Sequence, residues 1–138
     1  MVTTQIEPRP RPDSEKLTIN LGFVDLGQID LLVNEGFYSN RSDLIRTAIR
    51  NQLTSHTDAI RQAAARKTLS LGLQEFSRAD LEALRNAGKT IQINVLGLAR
   101  IAPDVTPELA IATIDSVRVL GALQVSPAVR AALVDRIR

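Results

Sequence analysis

The chain has 138 residues, of which 44% are hydrophobic and 23% are charged, and its formal net charge is +2. It has no cysteine and one histidine, which excludes disulfides, thiolate chemistry and the usual Cys/His zinc sites. Aromatic residues make up only 3%, which argues against binding of single-stranded nucleic acid by base stacking. No apolar run suits a signal peptide or membrane span, so we expect a folded cytoplasmic protein.

Residues 1–14 contain three prolines, Pro8, Pro10 and Pro12, separated by arginines. Proline cannot donate a backbone hydrogen bond and interrupts both helices and sheet ladders. This composition predicts an extended, flexible arm.

Residues 16–21 alternate between polar and apolar side chains, which predicts a β-strand. The next strand-like segment lies beyond two helical stretches, so nothing nearby in the sequence can satisfy the backbone donors and acceptors of this strand. We therefore predict that the strand pairs antiparallel with the same strand of a second chain.

Two helices follow the predicted strand, with Asp25 as the expected cap of the first and Gly36 as its left-handed stop. Ser39 or Asn40 is expected to cap the second. A unit of this size cannot close a core alone, so its apolar side chains predict a dimer core. The predicted core residues are Leu17, Ile19, Leu21, Leu32, Leu44, Ile45, Ala48 and Ile49.

Residues 15–53 resemble the ribbon-helix-helix family of bacterial and phage DNA-binding proteins, of the CopG-like kind. The resemblance rests on the alternating strand "KLTINL", the turn "GFYSNRS" and the second helix "LIRTAIRNQL". The sequence departs from many relatives at Gly22 and Gly27, where they carry a proline and helix-forming residues. The resemblance implies an intertwined homodimer that inserts a two-stranded antiparallel ribbon into the major groove of double-stranded DNA.

Two sets of DNA contacts are expected, the first from the resemblance and the second from the turn before the second helix. The base-reading positions fall on Lys16, Thr18 and Asn20. Lysine can donate to guanine, asparagine can pair with adenine, and threonine can contact a thymine methyl group. The amino terminus of the second helix, whose first amides have no partner within the helix, is expected to bind phosphate. The phosphate-binding candidates are Ser39, Asn40, Arg41 and Ser42.

The second half of the chain starts with a predicted connecting helix over residues 56–67 and continues with a small α/β domain over residues 68–138. Ser77 is expected to cap a helix that closes at Gly88. Residues 93–109 and 117–133 share six identical positions at a period of 24, and residues 69–81 resemble a first copy offset by 25. Each copy predicts a short strand, a glycine bend, a second short strand and a helix started by proline.

The predicted fold class is therefore α+β, with the dimeric ribbon-helix-helix domain over residues 15–55. The open strand edges of the repeat domain predict oligomers beyond the dimer, such as a tetramer. A sensing role of this domain, through a protein partner, is the alternative. The leading function is a sequence-specific transcriptional regulator, most simply a repressor. An antitoxin that autoregulates its operon and a DNA-coating or partition protein are the alternatives. We expect no catalytic residues, metal or cofactor, and hence no enzyme.

Overall fold

The computed structural model describes residues 14–138, and the chain divides into two compact units after His56. Unit 1 contains two helices, and unit 2 contains three parallel strands with four α-helices and a short 3₁₀-helix, Val134–Arg136. The predicted arm lies outside the described residues, except for Ser14. The elements are α1 (Phe23–Asn34), α2 (Arg41–Ser55), α3 (Thr57–Arg66), β1 (Ser70–Phe76), α4 (Arg78–Asn86), β2 (Ile91–Ile101), α5 (Pro107–Thr113), β3 (Ile114–Gln124) and α6 (Pro127–Ala132).

The segment before α1, residues 15–22, belongs to no helix or strand in the single chain. The prediction of a strand over 16–21 is therefore not met within one chain. A strand is defined by its ladder of hydrogen bonds, and no described segment of the same chain pairs with this one. Its apolar side chains remain in solvent, with Leu17 81% and Ile19 59% exposed.

The predicted end of α1 is confirmed, whereas the predicted cap at its start is wrong. The residue that precedes α1 is Gly22, in extended conformation, and Asp25 lies within the first turn instead of capping the helix. Gly36 adopts the left-handed conformation (φ +83°) as predicted. Its amide donates to the Val33 carbonyl and the Phe37 amide donates to the Leu32 carbonyl, which is the Schellman arrangement of a helix end.

The sheet of unit 2 has the order β1-β2-β3, and both pairings are parallel. Paired residues of β1 and β2 are 25 positions apart, as in Ser70 and Val95. Paired residues of β2 and β3 are 24 positions apart from Gln92 onwards, as in Val95 and Val119. The same intervals, 25 and 24 residues, separate the similar sequence segments. Each interval contains one strand and the helix that follows it.

Each strand runs through its glycine without interruption, so the predicted division into two short strands around a glycine bend is wrong. Gly72, Gly97 and Gly121 have φ between +122° and +140°, a conformation that side-chain-bearing residues rarely adopt. The three glycines are paired with one another in register. Because all three strands deviate at the same level, the hydrogen-bonded ladder is kept.

The core of unit 2 lies between one face of the sheet and helices α4, α5 and α6. Alternate residues of β2 are buried, with Ile93 and Val95 at 1% and 0% exposure. The helices contribute Leu81, Leu109 and Val129 to the same cluster. Ser77 caps α4 as predicted, and together with Asp80 it forms a capping box.

Candidate nucleic-acid interface

The three base-reading candidates lie on the segment that precedes α1. Lys16, Thr18 and Asn20 are all exposed, and none of them has a hydrogen bond or ion pair within the described residues. Their apolar neighbours in the segment are exposed as well, so the single chain does not yet separate a polar from an apolar side. An antiparallel partner strand would impose that separation, because paired strands direct alternate side chains to opposite faces.

The four phosphate-binding candidates are consecutive at the amino terminus of α2. Asn40 is the cap, as one of the two predicted alternatives, and its Oδ1 accepts from the Asp43 amide at 2.8 Å. Asp43 Oδ2 in turn accepts from the Ser39 amide at 3.0 Å. The amides of Arg41 and Ser42 belong to the first turn, where no carbonyl four residues earlier lies within the helix, so they are the donors suited to an external anion.

Arg41 also makes a contact within the protein that the sequence did not predict. Its Nε donates to Asp30 Oδ1 and its Nη2 to Asp30 Oδ2, both at 2.8 Å, which forms a two-point fork between the start of α2 and the last half of α1. This hydrogen bonding to Arg41 lowers the pKa of Asp30, and the same contact raises the pKa of Arg41. The fork braces the two helices at the point where phosphate is expected.

The pair leaves Arg41 able to make further contacts. A guanidinium has five N–H donors, so donors remain beyond those used by the carboxylate. Both side chains are about half exposed, at 56% and 47%, so the guanidinium can be approached from solvent. The eleven-residue separation corresponds to no helical spacing, which explains why the sequence pattern contains no signal for this contact.

The predicted dimer-core residues are poorly covered in the single chain. Leu17, Ile19 and Ile49 are more than half exposed, and Leu21 and Leu32 are exposed by 37% and 36%. Leu44 and Ile45 are half-buried, and Ala48 is exposed. None of the described residues of unit 1 is fully buried. Unit 1 therefore presents the predicted core as an open apolar surface.

The family model of ribbon-helix-helix transcriptional regulators matches residues 12–130, which is most of the chain. The chain belongs to the ribbon-helix-helix transcriptional regulator family. This confirms the resemblance seen on residues 15–53 and extends it, because the match also includes most of unit 2. The family description assigns this protein to transcriptional regulators, a class that acts by binding DNA.

No curated protein and no solved structure matches the chain. Within residues 14–138, no three His, Cys, Asp or Glu side chains are grouped so that they could hold a metal ion. None of the helices described there is long and apolar enough to cross a membrane.

Proposed function

We propose that this ribbon-helix-helix protein is a sequence-specific transcriptional repressor that binds double-stranded DNA as a homodimer. In the dimer, residues 16–21 of two chains pair antiparallel, and Lys16, Thr18 and Asn20 of each chain enter the major groove. The six side chains read a short site with two-fold symmetry, which mirrors the symmetry of the protein.

The proposal rests on the exposed apolar side chains of unit 1, in a chain that belongs to a family of transcriptional regulators. Its described residues have no fully buried side chain, although Leu17, Ile19 and Ile49 are large and apolar. Such exposed apolar surface marks an interaction site. A second copy of the same unit supplies both an apolar partner for these side chains and a strand for the unpaired segment.

The amino terminus of α2 provides the second contact set, to the DNA backbone. The amides of Arg41 and Ser42 point out of the first helical turn, and the Arg41 guanidinium adds a positive charge beside them. Contacts of this kind position a protein on DNA without reading its sequence. Specificity then depends on the ribbon, whereas much of the affinity depends on the phosphate contacts.

Unit 2 favours a regulator over an antitoxin. An antitoxin tail that folds on its target is short, polar and unfolded before binding. Unit 2 instead has its own parallel sheet and a core that includes Ile93, Leu109 and Leu133 at 2% exposure or less. Circular dichroism of the tail separates the two functions, because a regulator domain keeps its helix and strand signal without a partner.

Selection of bound sequences from a random DNA pool tests the proposal. The wild-type chain is compared at fixed salt with the triple variant Lys16→Ala, Thr18→Ala, Asn20→Ala. A matched control carries Asn86→Ala, Lys89→Ala and Thr90→Ala, the same three residue types at exposed positions of unit 2.

A short inverted-repeat motif is expected from the wild type and the control and is lost in the ribbon variant. If the ribbon variant selects the same motif, base reading by these residues is refuted. If no motif emerges and all three proteins bind the pool alike, the protein coats DNA with weak sequence preference.

A further inference from the structure

The two edges of the sheet in unit 2 differ in whether another segment of the chain is hydrogen-bonded to them. On the β3 side, the chain terminus returns to the edge: Ile137 bridges to Val117, and the Arg138 amide donates to the Val117 carbonyl at 2.8 Å. On the β1 side, β2 is the only neighbour among the described residues. The outward row of β1 amides and carbonyls is therefore a template for another strand.

β1 also lacks the features by which edge strands usually discourage pairing. Its sequence, "SLGLQEF", has no proline and no lysine. Its single charged residue, Glu75, is engaged by Arg100 Nη1 at 2.7 Å within the same sheet. Leu71 and Leu73 are 77% and 56% exposed on this strand, so the edge is apolar as well as unpaired.

The glycine column adds a geometric reason for close approach at this edge. A methyl group on Gly97 would overlap the Gly72 carbonyl oxygen, and one on Gly121 would overlap the Gly97 carbonyl oxygen. Each of these glycines thus admits the backbone of the preceding strand. Gly72 has the same backbone conformation (φ +123°), but nothing lies within 4 Å of the position that its methyl group would take. The geometry that leaves room for a neighbouring backbone is repeated at Gly72, where residues 14–138 provide no such neighbour.

We propose that β1 pairs antiparallel with β1 of a second copy of this chain, centred on Gly72, and joins two three-stranded sheets into one of six strands. In this register Leu71 lies opposite Leu73 and Ser70 lies opposite Gln74 of the other copy. Between residues 70 and 74, apolar residues face apolar ones, polar residues face polar ones and no like charges are opposed, which is the pattern that stabilises cross-strand pairs.

The size of the contact also favours a second copy over an unrelated protein. β1 has seven residues, far fewer than the roughly 20–30 residues per side of a stable stand-alone interface. Such a contact becomes populated when the partner strand is already held at high effective concentration. The ribbon dimer of unit 1 would hold a second copy in this way, and this step alone rests on the proposed function.

The absence of cysteine in the chain allows a direct test by disulfide formation. The double variant Ser70→Cys/Gln74→Cys places two cysteines that are about 13 Å apart along one strand, too far for a bond within a chain. In the proposed register, each cysteine lies opposite the other cysteine of the second copy, within disulfide range. The two single variants are the controls, since neither can pair with itself in this register.

Under mild oxidation, the double variant is expected to give cross-linked dimers about tenfold faster than either single variant. Adding Leu71→Lys at the seam should remove this advantage, whereas adding Leu120→Lys should keep it. Leu120 belongs to the same face of the sheet but lies on β3, away from the seam, and it is 47% exposed. Cross-linking no faster than in the single variants, or equal inhibition by the two lysines, overturns the proposal.

Light scattering of the reduced double variant separates this proposal from the ribbon dimer. Dimer mass without cross-linking refutes the β1 pairing and leaves the ribbon in place. Cross-linking and dimer mass that both persist when Ile19→Lys is added refute the ribbon and leave the β1 pairing in place. Amide hydrogen exchange on the unmodified chain gives a second readout that needs no substitution. Exchange of those Ser70–Phe76 amides that point away from β2 should slow as the protein concentration rises, and equal exchange at all concentrations contradicts the pairing.

Discussion

Unit 1 and unit 2 both contain many apolar residues, but they differ in how they bury them. In unit 2, thirteen hydrophobic side chains are buried within one chain, and the three strands of its sheet pair with one another. In unit 1, none of the described residues is fully buried, and residues 16–21 have no strand partner. The difference shows that an alternating strand becomes a structural element only when a partner strand is within reach. In unit 2 the partner comes from the same chain, and in unit 1 the proposed homodimer would supply it from a second chain.

The largest expected effect follows from breaking the glycine column of unit 2. In Gly121→Ala, the added methyl group overlaps the Gly97 carbonyl oxygen, and the residue must also keep a φ of +122°. Strain and overpacking together should lower the free energy of unfolding of unit 2 by at least about 3 kcal/mol, measured by urea titration.

Gly72→Ala is the matched control, because in the single chain Gly72 has φ +123° but open space around it. It is measured at a protein concentration at which β1 is unpaired. It should cost only the backbone strain, about 1–3 kcal/mol. Equal losses in the two variants would show that the close approach between strands does not matter.

A second pair of variants separates the two kinds of core. Leu109→Ala removes a side chain that is 2% exposed in unit 2, so it should cost about 2–5 kcal/mol at every protein concentration. Ile19→Ala removes a side chain that is 59% exposed in the single chain and buried only in the proposed dimer. Its cost, about 1.5–3 kcal/mol per side chain, should appear as weaker dimerisation.

Thermal unfolding over a hundredfold dilution distinguishes these outcomes. The midpoint temperature of the unit 1 transition should fall on dilution in both Leu109→Ala and Ile19→Ala. It should be lower in Ile19→Ala at each concentration. A concentration-independent transition for unit 1 would mean that the single chain folds this region alone.

Smaller effects are expected at the helix caps, one in each unit. Asn40→Ala removes the acceptor of the Asp43 amide at α2, and Ser77→Ala removes the acceptor of the Asp80 amide at α4. Each should cost about 1 kcal/mol. The loss should appear mainly in the unit 1 transition for the first variant and in the unit 2 transition for the second. Equal shifts of both transitions by one variant would contradict a local role of that cap.

The smallest effect concerns the ion pair at the start of α2. Because Arg41 lowers the pKa of Asp30, the folded state favours the carboxylate, and this contribution is present above the ordinary pKa of 3.8. It is lost as the pH falls through the lowered value. The wild type should therefore lose slightly more stability than Asp30→Asn on acidification below pH 3.8, and parallel pH profiles would contradict this.

Asp30→Asn also separates bracing from phosphate binding, because it leaves Arg41 in place. DNA affinity should be kept in Asp30→Asn and fall in Arg41→Ala. In Arg41→Ala the slope of log affinity against log salt should also be shallower, by about 0.9 for each DNA phosphate that the variant no longer neutralises. An unchanged slope would show that Arg41 braces the helices without binding phosphate.

Local features of the fold were predictable from the sequence because their signals are local. The Gly36 stop, the Ser77 capping box and the family of residues 15–53 each rest on a short run of residues. The Asp30–Arg41 fork has no such spacing, since it depends on how two helices meet. The prediction of a glycine bend is wrong because a single strand cannot reveal that its neighbours deviate at the same level.

The most direct test of the central claim is amide hydrogen exchange of residues 16–21 in the wild-type chain at two protein concentrations. The account predicts strong protection of alternate amides at high concentration, as in a two-stranded ribbon, and loss of this protection on dilution, while the β2 amides between Ile93 and Ile101 stay protected throughout. Rapid exchange of residues 16–21 at both concentrations, or protection that survives dilution to monomer, would contradict it.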